Sequence, residues 1–330
     1  MENIRPLAFD DFIGQEDAKR RLQVAIASAQ TRNKPLGHIL LSGPAGLGKT
    51  TLAQIVANTT NVFILFTIGN NITKDTDLYN LIDRVTRENA VNILFIDEIH
   101  TIRSIAQNNL LTAMEDFSIS IKKNGHSQRY NFAPITIIGA TTNPGNLLKP
   151  VYDRFDHKVV LEPYTPTELQ SIVKFTVSKL DYVEGITDKA VAEIAKRSRG
   201  VARIATKFCK SAQDIACVNQ KNIIDDEIIA ETFEMLDIDE KGLSTKVDVK
   251  ILKYLFNIYP QAIGADNMAQ LLDEDPRHVL NVVEPNLFKL GYIERGRGGR
   301  SITPKGMTYL KENGHITTND VNSSAMTLEA

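Results

Sequence analysis

Apolar positions along the chain follow two rhythms. Four short runs, His38–Leu41, Phe63–Phe66, Ile93–Ile96 and Ile135–Gly139, are continuous and apolar rather than alternating. Such runs suit parallel strands buried on both faces by helices. Helically spaced apolar residues lie between them, so an α/β domain with a parallel sheet is expected over residues 1–164. From 165 to 241 the strand signal disappears, and the pattern predicts about four amphipathic helices in a lid-like domain. One is expected over Pro166–Leu180, with Thr165 as its cap and Pro166 in its first turn. From 242 to 314 the order becomes helix, helix, helix, hairpin, helix. Asp275-Pro276 opens the third helix, Tyr292–Arg295 and Arg300–Thr303 flank Gly296, Gly298 and Gly299 as a two-stranded wing, and Pro304 starts a closing helix. That order suggests a winged helix-turn-helix. Residues 315–330 are polar and patternless and are expected to be a disordered tail.

Composition narrows the class. In 330 residues the net charge is −2, so any grip on nucleic acid must come from a local basic patch. One candidate is Lys289 to Lys305, which carries Lys289, Arg295, Arg297, Arg300 and Lys305 against Glu294 alone. No apolar run approaches the ~18–20 residues that span a bilayer, and the N-terminus lacks the apolar core of a signal peptide; a cytoplasmic protein without membrane contact is expected. Cys209 and Cys217, eight residues apart in one helical stretch, are expected to share a face as reduced core cysteines, since no further ligands stand near at zinc spacing.

The strongest chemical signal is Gly43-Pro44-Ala45-Gly46-Leu47-Gly48-Lys49-Thr50, which fits GxxxxGK(S/T) between an apolar strand and a helical run. Glycines let the backbone N–H groups turn towards phosphate oxygens, and the following helix N-terminus adds positive potential. Gly46, Leu47, Gly48, Lys49, Thr50 and Thr51 are therefore expected to hold ATP, with Lys49 on the β- and γ-phosphates and the Thr50 hydroxyl on Mg²⁺. The strand Ile93–Ile96 then delivers Asp97 and Glu98 at its C-terminal end, where open α/β sheets bind ligands. Asp97 is expected to hold Mg²⁺ or a water on it, and Glu98 to orient and deprotonate the attacking water. Ile135–Thr142 ends in polar residues that could sense the γ-phosphate or simply cap a turn. Arg154, in Asp153-Arg154-Phe155, is by pattern alone an ordinary surface arginine.

Together these residues resemble the RuvB family, the ATPases of the AAA+ class that drive branch migration of Holliday junctions. The resemblance runs from about Ile4 to Lys311 and includes Arg5-Pro6 with Ile13-Gly14-Gln15, LFIDEIH at 94–100, AMEDF at 113–117, IGATT at 138–142, DRF at 153–155, RSRG at 197–200 and Ala202-Arg203-Ile204-Ala205. Glu284-Pro285, Gly291-Tyr292, Arg295 and Gly299-Arg300 complete it. It implies an ATP-dependent DNA translocase for recombination and repair, assembled as a hexameric ring on double-stranded and junction DNA beside a RuvA-like junction-binding protein. It also implies that Arg5, Phe12, Ile13 and Tyr164 surround the nucleotide, that Thr142 and Arg203 are its two sensors, and that Arg154 is an arginine finger acting on a neighbouring subunit. Arg295 and Arg300 match wing arginines that contact DNA, and Arg297, in the same basic hairpin, is expected to join them. A clamp-loader-like ATPase that remodels a protein on DNA is the alternative, which the winged-helix ending disfavours; a switch without turnover is disfavoured by the joint presence of Lys49, Asp97, Glu98 and Arg154.

The chain departs from the family pattern at several points. Asn143 and Tyr152 stand where arginines are usual, Val201-Ala202 replaces Thr-Pro, and Thr67–Asp77 lacks the usual Ser-Gly-Pro run. Between AMEDF and IGATT, where the family docks its junction-binding partner through an apolar hairpin tip, Ser118–Ile121 alternates, Asn124-Gly125 supplies a turn and Tyr130 and Phe132 alternate on the return. A hairpin is expected, but with a polar, basic tip over Lys122–Arg129. Such a tip implies either a partner with an acidic or polar docking face or no such partner.

Overall fold

The structure, a computed structural model, describes residues 4–87, 93–123, 126–273 and 279–316. It divides into two compact units, one of residues 1–181 with 200–207 and the other of residues 182–199 with 208–330.

The first unit is built on a five-stranded parallel sheet of β1 (Ile39–Ser42), β2 (Ile64–Ile68), β3 (Ile93–Asp97), β6 (Thr136–Thr141) and β7 (His157–Val160), in the order β2-β3-β6-β1-β7. The three central strands come from three of the four continuous apolar runs, and they are buried because helices α1 (Glu16–Thr31), α2 (Lys49–Thr60), α3 (Asp75–Arg87) and α4 (Ser104–Asp116) cover the sheet. The fourth run, Phe63–Phe66, leads into the edge strand β2, and its Phe63 and Phe66 are exposed, which corrects the expectation of burial on both faces. Leu40, Leu94, Ile96, Ile137 and Phe155 lie in this core. The edge strand β7 has no counterpart among the sequence expectations. His157 and Lys158 leave it only two apolar residues, and Val160 is exposed, which removes the continuous signal. Between α4 and β6, β4 (Ser118–Lys123) and β5 (His126–Asn131) pair antiparallel from Ser118↔Asn131 to Lys123↔His126. The expected Asn124-Gly125 turn lies outside the described residues. The stem is held where the sequence alternates: Tyr130 packs on Tyr79 with ring centroids 4.8 Å apart, and Arg129 bonds Ser118 Oγ and Asp116.

After α5 (Lys149–Asp153), helix α6 runs Pro166–Val177, three residues shorter than expected, and its cap is the expected one. Thr165 Oγ1 accepts from Glu168 N while Glu168 Oε2 accepts from Thr165 N, a reciprocal capping box. Helices α7 (Asp188–Arg197), α8 (Ala202–Val218) and α9 (Asp226–Met235) complete the expected four. The same stretch also contains a short parallel pair, β8 (Gly185–Ile186) with β9 (Ile223–Ile224), which two-residue strands conceal from any periodicity. On α8, Cys209 is buried and Cys217 is exposed, which corrects the expected shared face. Eight residues overshoot two turns by about 80°.

In the second unit, α10 (Asp248–Asn257), α11 (Ala265–Leu272), a π-helical turn over Val279–Val283 leading into α12 (Glu284–Lys289), the wing strands β10 (Ile293–Gly296) and β11 (Gly299–Ile302), and α13 (Pro304–Glu312) surround a core that includes Leu252, Leu255, Val279, Leu287, Ile293 and Leu310. This is the winged-helix arrangement. Asp275-Pro276, expected to open the third helix, and most of the expected tail lie outside the described residues. Arg300 is paired on both sides: across the wing to Arg295, and through two backbone bonds to Ile263.

Candidate nucleotide site and its partners

Three adjacent strands end at one place. In the order β3-β6-β1, Asp97 closes β3, Thr141 closes β6, and Gly43 follows β1 with its N–H donated to Thr141 O at 3.2 Å. The phosphate-loop residues, the two carboxylates and Thr142 are thereby brought together at the C-terminal edge of the sheet.

The loop's glycines are dictated by space as well as by φ. Gly48 sits at φ 103°, and a Cβ there would stand 2.8 Å from the Phe12 ring; Gly46 sits at φ 81°, and its Cβ would meet Val201 and Arg203 at 2.8 and 3.0 Å. Any side chain would push out the two flanks of the loop. Phe12 thus packs against the loop. Tyr164 reaches it by donating its hydroxyl to Leu47 O at 2.8 Å, and Arg203 N donates to Gly46 O at 3.2 Å. Burial pushes the Tyr164 phenol well above its ordinary pKa, so it remains a donor. Gln15, between Ile13 and α1, exchanges two hydrogen bonds with the backbone of Glu162 and ties this entry segment to the segment after β7. Arg5 is exposed and Ile13 half-buried on the same N-terminal segment.

Lys49 begins α2 and is buried, its ammonium donating to Gly43 O at 2.7 Å and Pro44 O at 2.9 Å. Thr50 and Thr51 follow in the first turn. Burial lowers the Lys49 pKa, against the raising pull of Glu98 and Asp97; burial likewise raises that of Asp97, against the bond it accepts from Glu98 N. Each charge is partly stripped of water and leans on the others.

Glu98 is held in an uncommon way. Its backbone is left-handed, φ 45° and ψ 48°, a conformation costing a non-glycine residue roughly 1–3 kcal/mol. The carboxylate Oε2 accepts from Thr142 N at 3.2 Å and from Thr142 Oγ1 at 3.1 Å, and lies 3.2 Å from His100 Nδ1. His100 Nδ1 is in turn 2.8 Å from Thr141 Oγ1. Sequence reasoning assigned nothing to His100, Thr141 or Gln15. The one available signal was position, since His100 stands two residues after the acidic pair. The Thr50 hydroxyl and the Asp97 carboxylate are oxygen donors of the kind that a hard divalent cation such as Mg²⁺ takes.

Arg154 is placed elsewhere. It caps the C-terminus of α5, its side chain is 43% exposed, and it lies 3.9 Å from Glu115 at the end of α4. The next residues lead into β7: Asp156, just before it, accepts from His38 N, and His157, its first residue, pairs with Ile39. Arg154 therefore neighbours the N-terminal end of β1, and the phosphate loop leaves the C-terminal end, about 13 Å of strand away.

The comparisons with known proteins agree across the chain. Residues 4–161 match the family described as the Holliday junction DNA helicase RuvB P-loop domain, 164–239 the RuvB AAA lid domain and 240–311 the RuvB C-terminal winged helix domain. The chain is 38% identical to the Holliday junction branch migration complex subunit RuvB of Thermotoga maritima over 93% of its length and 92% of that protein's. It is 39% identical to the same subunit of Campylobacter hominis, over 92% of this chain and 88% of that one. The solved Thermotoga maritima RuvB Holliday junction branch migration motor superposes with a TM-score of 0.81 at 37% identity, covering 93% and 98% of the two chains. The chain belongs to the RuvB family. It is therefore an AAA+ P-loop ATPase that binds nucleotide. Among the described residues no helix is long and apolar enough to cross a membrane.

The winged helix of this RuvB-family chain treats its three arginines differently. Glu284, 1% exposed at the start of α12, accepts from Arg295 Nη2 at 2.7 Å and from Arg300 Nε and Nη2 at 2.9 and 3.1 Å. The Arg300 side chain is only 12% exposed, and its guanidinium is held by this buried carboxylate. Arg295 is half-free, 59% exposed and close to the Phe288 ring; Arg297, at the turn, is exposed. Charge counting over 289–305 missed Glu284 because it lies outside that window and meets the wing only in three dimensions.

Proposed function

We propose that this protein is an ATP-driven DNA motor that moves Holliday junctions, working as a ring of copies. The observation that carries the reading is the convergence of Gly43–Thr50, Asp97, Glu98 and Thr142 on one sheet edge, in a chain that also carries a winged helix. Phe12, Tyr164 and the neighbouring Arg5 and Ile13 flank the nucleotide, while Lys49 and the loop N–H groups neutralise its phosphates. Thr50 and Asp97 hold Mg²⁺, which supplies charge neutralisation between the phosphates when bound. Glu98, already fixed by Thr142, takes the proton of the attacking water. Thr142 and Arg203 report the γ-phosphate to the strand and to α8. Arg154 acts on the nucleotide of the adjacent copy. In the wing, Arg297 and Arg295 meet the DNA backbone, and Arg300 supports Arg295 through the Glu284 carboxylate that the two share. Six copies around the duplex and a RuvA-like partner are the arrangement that the family resemblance implies; the polar, basic sequence of the hairpin tip, Lys122–Arg129, favours a partner face that is itself acidic or polar.

The test is ATP hydrolysis with four-way junction DNA, linear duplex and no DNA, with Mg²⁺ or EDTA, alongside migration of a labelled junction. Junction-stimulated, Mg²⁺-dependent turnover with strand exchange is expected. Turnover indifferent to every DNA would remove the motor reading and favour a clamp-loader-like activity on a protein.

A further inference from the structure

The turn before α8 contains a charge pair that no step above uses. Arg199 is left-handed at φ 56°, and its half-buried side chain places the buried Nη1 beside Asp248, the first residue of α10, with Nη1 to Oδ2 at 3.6 Å. That distance is an ion pair but not a hydrogen bond, and among the described residues Nη1 has no hydrogen-bond partner. Asp248 is 4% exposed and accepts from Ser244 N at 2.8 Å. A strained backbone and an unsatisfied buried donor in the same residue are uncommon, and such groups mark places that exchange between arrangements.

The surroundings of Arg199 are fixed on both sides. On one, Arg197 stacks 4.0 Å over the Phe233 ring and donates to Ile238 O, and Ser198 bonds Ile194 O. On the other, the next residue, Gly200, accepts from Tyr164 N at 2.9 Å, and Val201 and Arg203 contact the phosphate loop at Gly46. Four residues of chain therefore join the Asp248 carboxylate, on the first helix of the winged-helix segment, to a side chain proposed to touch the nucleotide.

We infer that Arg199 is a positioning residue that couples nucleotide state to the winged helix through Asp248. A shift of the Val201–Arg203 segment with the phosphates moves Arg199 by its peptide bond. Closing the gap to Asp248 satisfies Nη1 and secures α10. The inference rests on the proposed motor function, because it requires DNA to stimulate turnover.

The experiment compares wild type, Arg199→Asn (asparagine tolerates the left-handed backbone), Asp248→Asn, the double variant and Arg199→Lys. Basal ATP turnover, KM for ATP, affinity for four-way junction DNA and the factor by which that DNA stimulates turnover are measured. Expected are basal turnover, KM and DNA affinity within about twofold of wild type and a stimulation factor lower by about fivefold or more, the low end of coupling between sites. The double variant should lose no more than either single one, and Arg199→Lys should retain most of the stimulation and guard against misfolding of the others. A stimulation factor unchanged in the variants, or single losses that multiply in the double, overturns the coupling while leaving the motor intact. Absence of stimulation in the wild type removes both.

Discussion

Glu98 and Thr142 are joined twice, the carboxylate accepting from both the backbone N–H and the hydroxyl of the threonine at 3.2 and 3.1 Å. The bond from the N–H belongs to the fold, whereas the bond from the hydroxyl belongs to the side chain. Thr142→Val is therefore expected to keep the strand and nucleotide binding while lowering kcat by about tenfold or more, since a misplaced general base forfeits much of the 10²–10⁴-fold that such catalysis contributes. Steady-state turnover beside nucleotide titration checks this; equal loss of both would place Thr142 in binding instead.

Lys49→Ala and Glu98→Gln separate binding from chemistry. The first removes the buried ammonium from the phosphate loop and is expected to abolish ATP binding. The second keeps the shape but cannot take a proton, so ATP should bind and not turn over. Calorimetric titration with single-turnover kinetics decides the matter, and near-normal turnover by Glu98→Gln would overturn the site.

Arg154→Ala is expected to be inactive alone, by a factor of ~10³–10⁵ in rate, yet to recover activity when mixed with Glu98→Gln. Mixed rings contain interfaces where an intact Glu98 faces an intact Arg154. Mixtures that co-assemble and stay dead at every ratio would assign Arg154 another role.

Arg297→Ala and Arg300→Ala are expected to differ in kind. Removing Arg297 should leave the melting temperature unchanged and reduce the log–log salt slope of DNA binding by about one unit. Removing Arg300 strips two bonds from buried Glu284 and should destabilise the protein by roughly 3–5 kcal/mol, or less to the extent that Arg295 remains paired. Thermal melts and salt titrations of both variants distinguish them; a reversed pattern would restore Arg300 as a DNA contact.

His38 predicts a pH dependence. Its ring is buried, with Nδ1 accepting from Ile137 N at 3.0 Å and Nε2 donating to Met114 O at 3.1 Å, an arrangement that needs the neutral ring. Burial lowers its pKa below the ordinary 6.5. The unfolded chain therefore binds the proton first, so the stability is complete above about pH 6.5 and is lost as pH falls towards the folded value. Melting temperature should drop below that pH, and more steeply than in His38→Gln, which does not titrate.

The central strands and the phosphate loop were legible because each signal is local. Ile93–Ile96 is buried on both faces whatever surrounds it, and GxxxxGK(S/T) must curl wherever a strand feeds a helix. β7 was not legible, since at the sheet edge two of its four residues are polar. Nor was the commitment of Arg300, because Glu284 lies sixteen residues away and its burial depends on how α12 meets the wing. His100 was visible but mute: Glu98 is two residues away, but only the pairing of β3 with β6 brings the ring to Thr141.

The four residues of β1 set a limit on solitude. With the phosphate loop at one end and Arg154 at the other, a lone copy carries both halves of the proposed chemistry and cannot join them, since a strand in mid-sheet does not shorten. Turnover per molecule should then follow the fraction of chains that have neighbours. At high dilution ATP would be bound and left intact, and rate against protein concentration would curve upwards before becoming linear. Fuel consumption would thus be confined to places where enough copies have gathered, a safeguard that needs no separate inhibitor.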